Sequence, residues 1–167
     1  MQDPNNYWEQ LERLEKLIRA SEFKAGVIFS FHSLILGLFV DKLLFLQEAF
    51  KGSFLFIVLV CLWICSVLIS IYFCFRCFMP RIEMNYKDNV FFFKDAVYAF
   101  GNKEAYSKRL LEICNSQEDF FEQLSYQIHA ESKIIDKKFD CVQKSIRFFA
   151  VSFLIIFALL IYYLAIL

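Results

Sequence analysis

The 22 residues from 54 to 75 carry no charge, and at about 1.5 Å per residue a helix of that length reaches roughly 33 Å, the depth of a bilayer's hydrocarbon. A second run, residues 148–167, is 20 uncharged residues long and ends in two tyrosines and four aliphatic residues, again enough for about 30 Å. A third, residues 25–40, has 16 uncharged residues that include Ser30, His32 and Ser33. As a helix it reaches only about 24 Å. Because the apolar pattern resumes at Leu43 to Leu46, tilt, local thinning or an interfacial Asp41-Lys42 pair completes a span to about residue 46. Composition supports this reading: 59% hydrophobic and 19% aromatic residues, 22 of them Phe, and a mean hydropathy of +0.47 exceed what a soluble domain of this size hides from water. With 4 Gly and 2 Pro, collagen, disordered linker and turn-rich all-β folds fit poorly. The expectation is an all-α integral membrane protein with three transmembrane helices.

Charge sets the orientation. Four basic residues (Arg13, Lys16, Arg19, Lys24) precede the first span, two (Lys42, Lys51) separate the first two, and the other 12 fall between Arg76 and Arg147. If the N-terminus and the long third segment are cytoplasmic, 16 of the 18 basic residues lie inside, as the positive-inside rule favours, and the C-terminus faces out. The first 24 residues, rich in Glu and Leu, lack the pattern of a cleavable signal peptide, so the N-terminus is expected to be retained. There Trp8, Leu11, Leu14, Leu17, Ile18 and Ser21 recur at helical spacing against Glu9, Glu12, Arg13, Lys16 and Arg19, an amphipathic helix. The 18 acidic residues that balance the 18 basic ones leave no overall excess of positive charge to indicate a nucleic-acid polymer as partner.

Four segments follow: a cytoplasmic amphipathic helix at 1–24, a transmembrane hairpin at 25–76 (helices about 25–46 and 54–75), short cytoplasmic helices at 77–115, and one long helix at 116–167 that is stalk first and third span afterwards. Pro80 stops the second span. Between it and Asn115, Gly101-Asn102 marks a turn between two short helices, although Phe91-Phe92-Phe93 also fits an extended or membrane-surface segment. Asn115 or Ser116 caps the long helix, with Glu118 and Asp119 at the positive end of its dipole. Phe121, Leu124, Ile128, Ile135, Phe139, Val142 and Ile146 form its apolar stripe, and no Gly or Pro occurs from Asn102 to the C-terminus. A cytoplasmic stalk is thus joined to the last span without a break.

No motif for a catalytic nucleophile, a metalloprotease or a phosphate-binding loop can be read, so no catalytic residue, metal ligand or cofactor is named and the chain is not expected to be an enzyme. The six cysteines read chiefly as small packing residues; Cys74 and Cys77 form a CxxC at a membrane edge with no second pair. His32 is an intramembrane polar residue, either a functional group or an imidazole bonded to a neighbouring helix. Gly26, Ser30, Ser33 and Gly37 stack on one helix face at steps of 4, 3 and 4, a surface for close helix packing and homo-oligomer formation. On the stalk, His129, Lys133 and Lys137 share a quadrant with Lys144, suited either to a phosphate or to a solvated face neutralised by Asp136 and Asp140.

Several stretches resemble the Pycsar transmembrane effector (PycTM) domain family. Glu22-Phe23-Lys24-Ala25-Gly26 is similar to the family's entry into the first span, and Phe91-Phe92-Phe93 followed by Glu104-Ala105-Tyr106 to its aromatic stretch and tyrosine-bearing helix. Residues 127–139, containing Gln127-Ile128, Ser132-Lys133-Ile134 and Lys138-Phe139, resemble the segment feeding its last span. The resemblance runs from about Leu14 to Leu167 and adds Lys24, Gln127, Ser132 and Lys138 to His129, Lys133 and Lys137 as candidate ligand-binding residues. It implies an anti-phage effector of the bacterial inner membrane, activated by a cyclic pyrimidine mononucleotide (cCMP or cUMP) from an associated cyclase, that impairs membrane integrity and aborts infection. The alternative is a non-toxic membrane anchor for a cytoplasmic signalling partner.

Overall fold

The computed structural model describes residues 3–79 and 88–166; Pro80, the expected stop of the second span, lies outside them. The described elements are all helices, with no strand among the described residues. They are α1 (Pro4–Asp41), α2 (Gln47–Gly52), α3 (Phe54–Phe78), α4 (Phe93–Tyr98), α5 (Lys103–Asn115) and α6 (Gln117–Ile166). Three of them, α1, α3 and α6, are long and apolar enough to cross a membrane.

The first span differs from its expected bounds. Helix α1 ends at Asp41, and Leu43 to Leu46 form a turn instead of prolonging it. There the amides reach back three residues, Leu43 to the Val40 carbonyl (3.2 Å) and Phe45 to that of Lys42 (3.1 Å). Exposed Asp41 and Lys42 pair with each other at 3.0 Å, so two solvated charges sit where the helix gives way. At its other end α1 begins at Pro4.

Two compact units divide the chain: Met1–Arg19 with Arg81–Asp136, and Ala20–Pro80 with Lys137–Leu167. Helices α1 and α6 each belong to both. In the first unit Leu14, Val90, Phe92, Ile113, Phe121 and Leu124 are buried, and Phe91 meets Trp8 and Phe120 edge-on. Buried Asn89 organises the entry to α4. Its Oδ1 accepts from the Phe91 amide (2.8 Å), its own amide donates to Asp95 Oδ2 (2.9 Å), and its Nδ2 donates to the Gln123 carbonyl (2.7 Å). Gly101 takes φ +77°, a left-handed turn that glycine enters without a Cβ penalty, and Asn102 caps α5 by accepting from the Ala105 amide at 2.8 Å. Ser116 caps α6, its Oγ accepting from the Asp119 amide at 3.3 Å.

In the second unit α3 runs antiparallel to both α1 and α6, since Cys77 meets Glu22 and Lys138 at one end while Trp63 meets Phe39, and Phe56 meets Tyr162, toward the other. Its core has two parts. Toward Lys138 it consists of Ala25, Ile28, Cys74, Cys77, Cys141 and Val142. Toward Tyr162 it consists of Phe56, Val60, Trp63, Val67 and Leu159, with Phe39 and Phe50 packed against them. Lipid-side positions such as Leu34, Leu62, Leu68, Leu154 and Ile161 are exposed, as a helix bundle in hydrocarbon requires.

Candidate functional site

At one end of the second unit the Lys138 ammonium donates at 2.7 Å to Glu22 Oε1 and at 2.7 Å to the carbonyl oxygen of Cys77. Lys138 is 4% exposed and Glu22 38%. Helix α3 stops at Phe78, so the Cys77 carbonyl belongs to the last turn, at the negative end of the helix dipole. A single cation on α6 therefore satisfies a carboxylate on α1 and the end of α3.

Deeper along the bundle, α3 and α6 exchange hydroxyl bonds. Ser70 Oγ donates to the Ser145 carbonyl (2.9 Å), Ser145 Oγ donates to the Ser70 carbonyl (3.1 Å), and Cys74 Sγ lies 3.0 Å from Ser145 Oγ. His32, 1% exposed, stands edge-on to Phe149 with ring centroids 5.0 Å apart. Its Nε2 has no hydrogen-bond partner. At the opposite end Ser53 and Tyr162 share a hydrogen bond of 2.7 Å.

Measured against this geometry, the candidate ligand-binding residues separate. His129, Lys133, Lys137 and Lys24 are exposed and Ser132 is half-buried. Gln127 and Lys138 point inward. Gln127 Nε2 donates to Glu131 Oε1 at 2.8 Å, while its own Oε1 is buried without a partner. Burial pushes the Glu131 carboxyl above its ordinary range against the pull of that bond, and Glu15 adds repulsion in the same direction as burial. Lys144, on the quadrant of His129 and Lys133 by sequence, is paired with Asp140 at 2.7 Å.

Of the small-residue stripe, Ser30, Ser33 and Gly37 are exposed and Gly26 is half-buried. A Cβ at Gly37 would meet nothing within 4 Å, and one at Gly26 would come to 3.9 Å from Phe78. The face of α1 turned into the bundle is instead that of Ser21, Ala25, Ile28 and His32. Sequence reading missed Ser70, Ser145 and the role of Glu22. The first had a signal in reach: Ser66, Ser70, Cys74 and Cys77 follow steps of 4, 4 and 3, the same small-residue rule that drew attention to the first span. Three cysteines, Cys74, Cys77 and Cys141, are buried; Cys61, Cys65 and Cys114 are exposed.

Comparison with curated proteins and with solved structures gave no match. The family model described as the Pycsar effector protein domain (PycTM) matches residues 6–165, so the chain belongs to that family, a membership that implies a transmembrane effector in anti-phage defence.

Proposed function

We propose that this protein is switched on by a cyclic nucleotide, a cyclic pyrimidine mononucleotide such as cCMP or cUMP made by an associated cyclase, and then breaches the bacterial inner membrane so that the infected cell dies before phage mature. It acts on the lipid bilayer and not as an enzyme. The N-terminus and the segment between α3 and α6 face the cytoplasm, and the C-terminus faces the periplasm, in keeping with the distribution of basic residues. The observation that carries the reading is α6 itself, one 50-residue helix with exposed His129, Lys133 and Lys137 along its polar part and a membrane span at its end. A phosphate-bearing ligand that binds those cations more tightly in the active arrangement than in the resting one shifts the equilibrium toward activity; equal binding to both shifts nothing.

The test is Lys133→Glu combined with Lys137→Glu in cells carrying the cyclase, scored with a membrane-potential dye. Signal-dependent depolarisation is expected to disappear while insertion is unchanged; a variant that still depolarises cells only when the cyclase is active removes this face as the receiver. A protein that never depolarises the membrane under any signal is the anchor of the alternative reading. Homo-oligomers form through the outward stripe of α1. Because a side chain at Gly37 meets open space within its own chain, Gly37→Leu leaves the single chain intact, and its loss of assembly and toxicity would trace to contacts between chains.

A further inference from the structure

We propose that the Lys138 contact with Glu22 and the Cys77 carbonyl is the latch that keeps the membrane bundle at rest, and that activation proceeds by breaking it. The proposal rests on the membrane-breaching reading above and adds the device that holds it in check. A buried ion pair contributes little net stability compared with an apolar pair of similar volume, whereas removing one of its members strands a charge and is costly. As glue it has no advantage over leucine and methionine. What it has is reversibility, since a carboxylate–ammonium contact yields to water or to a competing charge and an apolar contact does not.

Three observations place it at a control point. It gathers all three spanning helices onto one ammonium. Its carboxylate partner remains 38% exposed and so can be reached from outside the bundle. Of the six buried core residues beside it, four are narrow, Ala25, Cys74, Cys77 and Cys141, with Ile28 and Val142 the larger ones, so less contact area holds that end closed once the ammonium lets go than holds the end near Tyr162. The lysine also sits on α6, the helix that carries the candidate signal residues.

The experiment uses the full chain in phosphatidylethanolamine–phosphatidylglycerol vesicles filled with a self-quenching dye, with cCMP or cUMP added or withheld. Without nucleotide, Glu22→Gln is expected to leak at least about tenfold faster than the parent, because it leaves the Lys138 charge buried without its carboxylate. Glu22→Leu with Lys138→Met replaces the latch by an apolar contact and is expected to stay tight and to ignore the nucleotide. Should Glu22→Gln not accumulate, Glu22→Asp, which withdraws the carboxylate by one methylene, is expected to leak at an intermediate rate. A Glu22 single variant that reconstitutes as well as the parent and stays tight overturns the latch, and so does a double variant that responds to nucleotide as the parent does. If the parent is tight with both nucleotides while Glu22→Gln leaks, the latch stands and the nucleotide reading falls.

Discussion

The two ends of the membrane bundle are joined by different physics. Near Tyr162 the helices are held by wide side chains: Phe39 on Trp63 with centroids 4.9 Å apart, Phe50 on Phe56 at 5.1 Å, and Phe56 stacked on Tyr162 at 6.5 Å. Near Lys138 most of the buried core residues are small, Ile28 and Val142 apart, and the joints include reciprocal serine bonds and an ion pair. Aromatic packing is spread over many contacts and tolerates small displacements. Hydrogen bonds are directional and weaken steeply when the helices part by a fraction of an ångström. One end is joined chiefly by packing, the other in large part by polar bonds.

The difference can be broken or sharpened by substitution. The largest effect is expected at Trp63, 1% exposed: Trp63→Ala empties an indole-sized volume and costs about 3–5 kcal/mol, read as lost thermal stability in detergent micelles. A loss no greater than that of a serine variant would erase the contrast. Ser70→Ala and Ser145→Ala are each expected to cost about 0.6–1.7 kcal/mol. Their double variant should fall short of the sum, since the two hydroxyls also lie 3.1 Å from each other and either substitution removes that contact; a strictly additive cycle would mean that the two hydroxyls do not depend on each other. Tyr162→Phe deletes the bond to Ser53 but keeps the ring, and is expected to cost no more than about 0.6 kcal/mol, the ring carrying the joint. The smallest effect is expected at Glu131, in the first unit. Because burial raises the Glu131 carboxyl, the folded state holds that proton more tightly than the unfolded one, and stability declines as the pH climbs above the ordinary value of 4.5. Glu131→Gln should therefore melt slightly higher than the parent at neutral pH, with the gain vanishing in acid; a gain that is constant with pH would point to packing alone.

The same contrast explains what could be read in advance. Charge-free runs placed α3 and the span of α6 with little ambiguity, because hydrocarbon depth and helix rise admit few other solutions. The inward face of α6 was another matter. Of its expected stripe, Phe121, Leu124, Ile135 and Val142 are buried, but Phe139 and Ile146 are exposed, while Gln127, Lys138, Ser145 and Ser152 face inward. Apolar periodicity marks the inside only where the outside is water. At the joints with α1 and α3 the interior is marked instead by small and hydrogen-bonding residues, Lys138 and Ser145 among them, so the apolar stripe does not run the length of the helix. Lys138 could be singled out as a cation of interest, but its commitment to Glu22, 116 residues away in sequence, is a property of the folded chain.

Two serines on the lipid side of α1 have a use of their own. Ser30 Oγ donates to the Gly26 carbonyl at 2.9 Å and Ser33 Oγ to the Phe29 carbonyl at 3.0 Å, so each hydroxyl is satisfied inside its own helix. Such a surface presents neither a hungry donor to the acyl chains nor a fixed demand to a neighbour. It can exchange lipid for protein and back without stranding a polar group.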